Sequence, residues 1–253
     1  MTARMQPAIA SMARSKQSVG SVAPEPQASW LSAKLWLPVV LSATAGAVDV
    51  IGFLALGGLF TAHITGNLVI LAAHYTTGAF GQVAPLLAVP IFVVVLGGVA
   101  LLFGGLESGR HRRVLLALQA ALLAGCLALG LRFGPFANAD APIAVLTGMV
   151  AVAAMATQSA LVKLALVDSP STAVMTTNTT QLLIDLVVVA RSQGEPGVLG
   201  KAWRRAKVTS ACIAGFVIGG AAGAILESHL GLGALALAVI LATLAILLGE
   251  MKE

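Results

Sequence analysis

The chain has 253 residues, 58% of them hydrophobic and only 10% charged, where an average soluble domain carries about 25% charge. With a mean hydropathy of +0.96 and its few charges set between long apolar runs, it excludes a water-soluble domain and predicts an all-α polytopic membrane protein. The net charge of +5 collects at the ends of those runs, where basic residues orient a membrane protein, so nucleic acid is not an expected partner.

Residues 1–33 are rich in Ala, Ser, Gln and Pro, with PEPQ at 24–27. No short apolar core precedes Leu35, so the stretch does not read as a secretory signal. It is expected to be a flexible, cytoplasmic tail, and Met5 or Met12 is an alternative start. The transmembrane domain is expected over 34–250.

Apolar runs follow at 35–58, 61–77, 84–106, 113–131, 141–167, 172–190, 206–226 and 231–249. About 20 residues are needed to cross the hydrocarbon core as a helix. The second and sixth runs are shorter and more polar than the rest, and they resemble one another. TAHITGNLVILAAH (61–74) aligns without gaps on TAVMTTNTTQLLID (172–185), matching Thr61 with Thr172, Thr65 with Thr176 and Asn67 with Asn178. VLGGVALLFGGLES (95–108) resembles VIGGAAGAILES (217–228). The pattern is a two-fold internal repeat with halves at about 35–131 and 141–249, an organisation common in transporters.

Charge chooses between parallel and inverted halves. If all eight runs cross and the tail is cytoplasmic, Arg110, Arg112 and Arg113 lie outside, against the positive-inside tendency. If 61–77 and 172–190 give no net crossing, then the tail, the Arg110–Arg113 loop, Lys163 and the Arg191–Lys207 loop share the cytoplasmic side and Arg132 alone is outside. The expectation is therefore six crossing helices plus two shorter polar helices, re-entrant or broken, with eight crossings as the alternative.

Polar residues in the two short runs fall three or four apart, hence on one helix face. His63, Asn67, Ile70 and His74 make one stripe, and Val174, Asn178, Gln181 and Asp185 make the other. His74 and Asp185 hold equivalent positions, a candidate cation and anion that a pseudo-twofold would bring together. Asp49 sits in the middle of an apolar run, where a charge costs about 2.5–3.5 kcal/mol, so such a residue faces a bundle interior, paired or wet. Gln158 and Lys163 lie in the counterpart run. The candidate solute- or ion-binding residues are Asp49, His63, Thr65, Asn67, His74, Thr176, Asn178, Gln181 and Asp185. Against this stands the plain reading that threonines cap backbone and asparagines bond across helix pairs.

Gly97–Gly98, Gly104–Gly105 and Gly215, Gly219 and Gly223 read as close helix contacts. Cys126 and Cys212, each inside an apolar run, read as small packing residues and not as a metal site or a disulfide. The sequence has no phosphate-binding Gly-rich loop, HExxH, GxSxG or CxxC. No enzymatic activity, cofactor or metal is therefore expected.

The stretch GAVDVIGFLALGGLFTAHITGNLVILA (46–72) resembles the signature of the YoaK-like family of bacterial inner-membrane proteins: an Asp-containing helix, a Phe-Leu-x-x-Gly-x-Phe turn and a Thr-Gly-Asn motif. The matching residues are Asp49, Gly52, Phe53, Gly57, Phe60, Thr65, Gly66 and Asn67. The second half departs, with Thr176–Thr177 where a Thr-Gly pair is expected. The resemblance implies about six crossings and a bacterial inner-membrane location, and little chemistry. Taken together, the sequence predicts a transporter or channel for a small polar solute or ion, its path built from the two repeated polar helices. The alternative is a non-transporting scaffold, assembly factor or sensor. The lipid bilayer and the solute are the expected partners, and a second copy of the chain remains open.

Overall fold

The computed structural model describes residues 33–77, 83–104, 108–191 and 195–250. The expected tail lies outside them except for Ala33, as does Gly105. The described residues form α1 (Ala33–Ala55), α2 (Ile64–Thr77), α3 (Val83–Phe103), α4 (Ser108–Phe133), α5 (Pro142–Ala165), α6 (Met175–Arg191), α7 (Pro196–Leu230), a 3-10 turn (Gly231–Ala234) and α8 (Leu235–Glu250). Pro142 and Pro196 open α5 and α7, where the missing N–H is no loss and the fixed φ suits the first turn. Gly231, at φ 55°, closes α7.

Among the described residues, five helical stretches are long and apolar enough to cross a membrane: Leu35–Ala55, Val83–Phe103, His111–Phe133, Pro142–Ala165 and Pro196–Glu250. The last is bent at Gly231 and contains both α7 and α8. α2 and α6, at 14 and 17 residues, fall short of the length a crossing needs.

Contacts along the helices fix their directions. α1 and α7 run parallel, with Gly215 against Val39, Gly219 against Ala43 and Gly223 against Ala47. α1 and α5 run antiparallel: the Gln158 side chain donates to the Leu41 carbonyl, and Gly148 faces Leu56 and Leu59. α4 and α8 are also antiparallel, Gly130 meeting Leu232 and Gly249 meeting Leu116. α3 and α5 begin side by side, since the Val83 N–H donates to the Asp140 carboxylate at 2.7 Å.

Let the near end of the bundle be where α1 begins and the far end where it finishes. α1 then finishes at the far end and α3 starts there, so α2 makes no net crossing. α5 finishes at the near end and α7 starts there, so α6 makes none either. Eight crossings would make α1 parallel to α5, which the contacts contradict. Two clusters of buried residues mark the levels. Leu37, Leu41, Val99, Leu116, Leu161 and Ala245 pack near one end, and Ile51, Leu59, Leu123, Val152 and Leu235 toward the other.

Helix partners recur between the halves: α1 packs on α7 and α5 on α3, α4 on α5 and α8 on α1, α2 on α3 and α6 on α7. Side chains pointing away from these contacts are apolar, among them Val93, Val94, Leu101, Val217, Ile218 and Ile225, as a lipid-facing surface requires. A Cβ on Gly215 would lie 2.7 Å from the Val39 carbonyl oxygen, so the α7 glycines do serve close approach. Gly97 and Gly98 do not: no atom beyond their own surroundings lies within 4 Å of a Cβ built there. α3 bears on its neighbours through other faces, and the sequence pattern alone could not show which way those glycines point.

The candidate site at the broken junction between α1 and α2

After Ala55 the chain reverses through Gly57 and Gly58, at φ 68° and 78°, a region that glycine enters without strain. It then folds back along α1. Gly52 admits this return, because a Cβ there would lie 3.0 Å from both the Leu59 carbonyl oxygen and the Thr61 methyl. The returning segment meets Asp49, which is 3% exposed. One carboxylate oxygen accepts the Thr61 N–H at 2.7 Å, the Ala62 N–H at 2.7 Å and the Thr61 hydroxyl at 3.1 Å. The other oxygen faces His63 Nδ1 at 2.5 Å. A carboxylate so placed gathers the N–H groups just ahead of α2, as a capping side chain does, and lies where the helix dipole favours negative charge.

Asn67 secures the turn from the other side. Its amide accepts the Phe60 N–H at 3.0 Å and donates to the Phe60 carbonyl at 2.8 Å. The Phe60 ring then lies across Gly66, where a Cβ would come within 2.8 Å of it. Phe60 also stacks near Phe53, centroids 5.0 Å apart, and His63 meets the Phe216 ring edge-on at 5.5 Å. Around these rings lies an open cleft of about 530 Å³, lined by Asp49, Phe53, Phe60, His63, Thr65 and Phe216 with a few aliphatic neighbours. The His63 side chain is 38% exposed, and with Nδ1 committed to Asp49 it has Nε2 left for the cleft.

The junction between α5 and α6 is built on the same plan with different chemistry. Asn178 donates to the Ser171 carbonyl at 2.6 Å, seven residues back, as Asn67 does to Phe60. Thr172, the match of Thr61, bonds to Gln158 at 2.9 Å, where Thr61 bonds to Asp49. Gln158 also donates to the Leu41 carbonyl and accepts from Gln119 at 2.6 Å, tying α1, α4, α5 and the loop before α6 together. Val174 stands where the first junction has His63. Ser171 stands opposite Phe60, which explains Thr177 in the place of Gly66: without the ring there is nothing for a side chain to strike.

The candidates therefore divide. Asp49, His63 and Thr65 come together at the cleft. Asn67 and Asn178 are buried and spent on backbone groups. Thr176 is exposed, and its carbonyl accepts the Thr180 hydroxyl. His74 lies in the last turn of α2. Asp185 is fully buried, and the cation against it is not His74 but Arg205 of α7, which holds it through two hydrogen bonds, Nε at 2.7 Å being one. Gln181 adds a third at 3.0 Å. The Arg205 guanidinium beside it, with Gln181 assisting against the effect of burial, holds the Asp185 carboxyl below the usual carboxylate range.

Sequence reasoning did not find Phe216, Gln119 or Arg205. A phenylalanine in an apolar run carries no signal, and Arg205 reads as one of several topology-setting charges. Gln119, an amide alone in LLALQAALL, was the one visible clue.

A family model described as "Protein of unknown function (DUF1275)" matches residues 37–248, and the chain belongs to that family. No curated protein and no solved structure matches it.

Proposed function

We propose that this DUF1275 member is a transporter for a small solute, with its binding site at the α1–α2 junction and its two halves related as an inverted repeat. The observation that carries the reading is an acid–imidazole pair placed at a helix break inside the membrane domain, open to a cleft. Buried ionisable groups at broken helices are a recurring way to hold solutes and coupling ions. The recurrence of helix partners between the halves, with α1 and α5 antiparallel, supports the inverted repeat.

Arg112, Arg113, Lys163, Arg204 and Lys207 all lie toward the near end and Arg132 at the far end, so the positive-inside tendency assigns the near end and the N-terminus to the cytoplasm. Asp49 is six residues before the end of α1, about 9 Å along the helix, so the cleft lies nearer the external face. The resemblance to YoaK-like proteins supports a bacterial inner-membrane setting.

One observation favours a scaffold instead. Asn67, Asn178, Gln158 and Thr172, four of the most polar buried positions, are all occupied by internal bonds. Cysteine accessibility in intact membranes separates the two. In a Cys126→Ser, Cys212→Ser background, Thr65→Cys and Phe216→Cys should react with an impermeant thiol reagent added outside, while the lipid-facing Val94→Cys stays silent. If the two cleft positions are as silent as 94, transport through this cleft is lost and the scaffold reading replaces it.

A further inference from the structure

We propose that the ligand of the α1–α2 cleft is a weak acid with an apolar, ring-sized body, bound with its proton held on His63; this rests on the cleft being a solute site. The first argument is what Asp49 cannot do. One of its oxygens already accepts four hydrogen bonds, the fourth from the His63 N–H, and the other faces His63 Nδ1, and the residue is 3% exposed. An ammonium head would have to displace the imidazole or break the turn. A cationic ligand is therefore disfavoured, although an acid lines the cleft.

The second argument is what His63 offers. A carboxylate on Nδ1 fixes the tautomer with the proton on that nitrogen, leaves the Nε2 lone pair for the cleft, and stabilises the ring once Nε2 is protonated. Asp49 and His63 are the titratable groups lining the cleft; α2 contributes Thr65, Gly66 and Val69 there, and α7 contributes Phe216. His63 is thus the group that exchanges a proton with a ligand.

The third argument is the walls. Phe53, Phe60 and Phe216 surround the pair, and such a lining favours a neutral entrant over a charged one. A carboxylic acid enters uncharged, and its O–H bond breaks as an Nε2–H bond forms. The electron pair stays on the acid oxygen. The product is a carboxylate paired with an imidazolium that Asp49 backs from the other side, with no change in net charge. The Thr65 hydroxyl is the second donor for the ligand's oxygens.

The test is calorimetry on the purified full chain in detergent, near neutral pH, in two buffers of different ionisation enthalpy, with empty micelles as blank. The probes are 4-phenylbutyrate, 4-phenylbutylamine and 4-phenylbutanol. The acid should bind best, with proton uptake that rises toward one per site as the titration is repeated at higher pH, because it arrives from water as the anion. His63→Gln should weaken the acid at least about tenfold and abolish proton uptake. Phe216→Ala should weaken all three probes while leaving proton uptake intact, and it serves as the second variant should His63→Gln fail to fold. Tighter binding of the amine, or acid binding without proton uptake, overturns the proposal. If no probe binds while Thr65→Cys still labels from water, the acid assignment fails and the transport reading stands. If Thr65→Cys is silent as well, both fall.

Discussion

The two helix junctions share a frame and differ in what the frame holds. In each, an asparagine reaches back seven residues to a backbone carbonyl, and a buried threonine bonds to a polar side chain on the preceding long helix. At the first junction that side chain is an acid, followed by a histidine and a cleft. At the second it is an amide, followed by a valine, and the amide's bonds run to α1 and α4. The common parts are what a broken helix needs for its backbone groups to be satisfied in a membrane. The differing parts are where chemistry can reside. The second junction is in effect an internal control for the first.

That comparison is open to attack, beginning with the side chains that hold each loop. Asp49→Ala strands four donors and an imidazole and should cost about 3–5 kcal/mol. Gln158→Ala removes neutral hydrogen bonds and should cost about 1–3 kcal/mol. Reversible unfolding in mixed micelles, followed by circular dichroism, would rank them, and equal losses would mean that the acid is merely a stronger glue. Asp49→Asn, which keeps an acceptor for the Thr61 and Ala62 N–H groups, should recover most of the stability lost in Asp49→Ala.

Next comes the exchange of Phe60 and Gly66 for the residues of the other half. Gly66→Thr drives a side chain into the ring and should cost about 1–3 kcal/mol. Adding Phe60→Ser should return part of that, with a coupling of at least about 0.5 kcal/mol in a double-mutant cycle. Simple additivity would break the claim that these two positions trade off. The asparagines should differ by less. Asn67→Ala removes two backbone bonds, about 1–3 kcal/mol, and Asn178→Ala removes one to Ser171, about 0.5–1.5 kcal/mol. The smallest effect is expected at Gly97, aligned with Gly219 but facing open space. Gly97→Ala should raise stability by about 0.5–1 kcal/mol through backbone entropy alone, whereas the same change at Gly219 should destabilise.

Much of the architecture was legible in the chain. Apolar runs of sufficient length placed the helices, and the distribution of arginines was enough to suggest that 61–77 and 172–190 do not cross. The α7 glycines and the cost of a mid-run carboxylate at Asp49 were also readable. What could not be read were contacts made by chain reversal. Nothing local reveals that Asp49 gathers N–H groups twelve residues ahead, because the turn at Gly57–Gly58 decides it. The pairing of Asp185 with Arg205 was missed for a related reason. Aligned positions in the two stretches need not touch, and α2 packs on α3 while α6 packs on α7.

The tight seam between α1 and α7 has a mechanical consequence. Glycine backbones meet along Gly215, Gly219, Gly223 and Gly46, so these two helices cannot slide or part without losing close contact over several turns. Val50, which packs on Gly220, and Phe216, which packs on Gly46, line the cleft from that seam and form a fixed jamb. The remaining wall, Phe60, Thr65 and Gly66, hangs from the Gly57–Gly58 turn and is latched by the hydrogen bonds to Asp49. If the cleft opens and closes, the short loop is the door and the glycine pair its hinge.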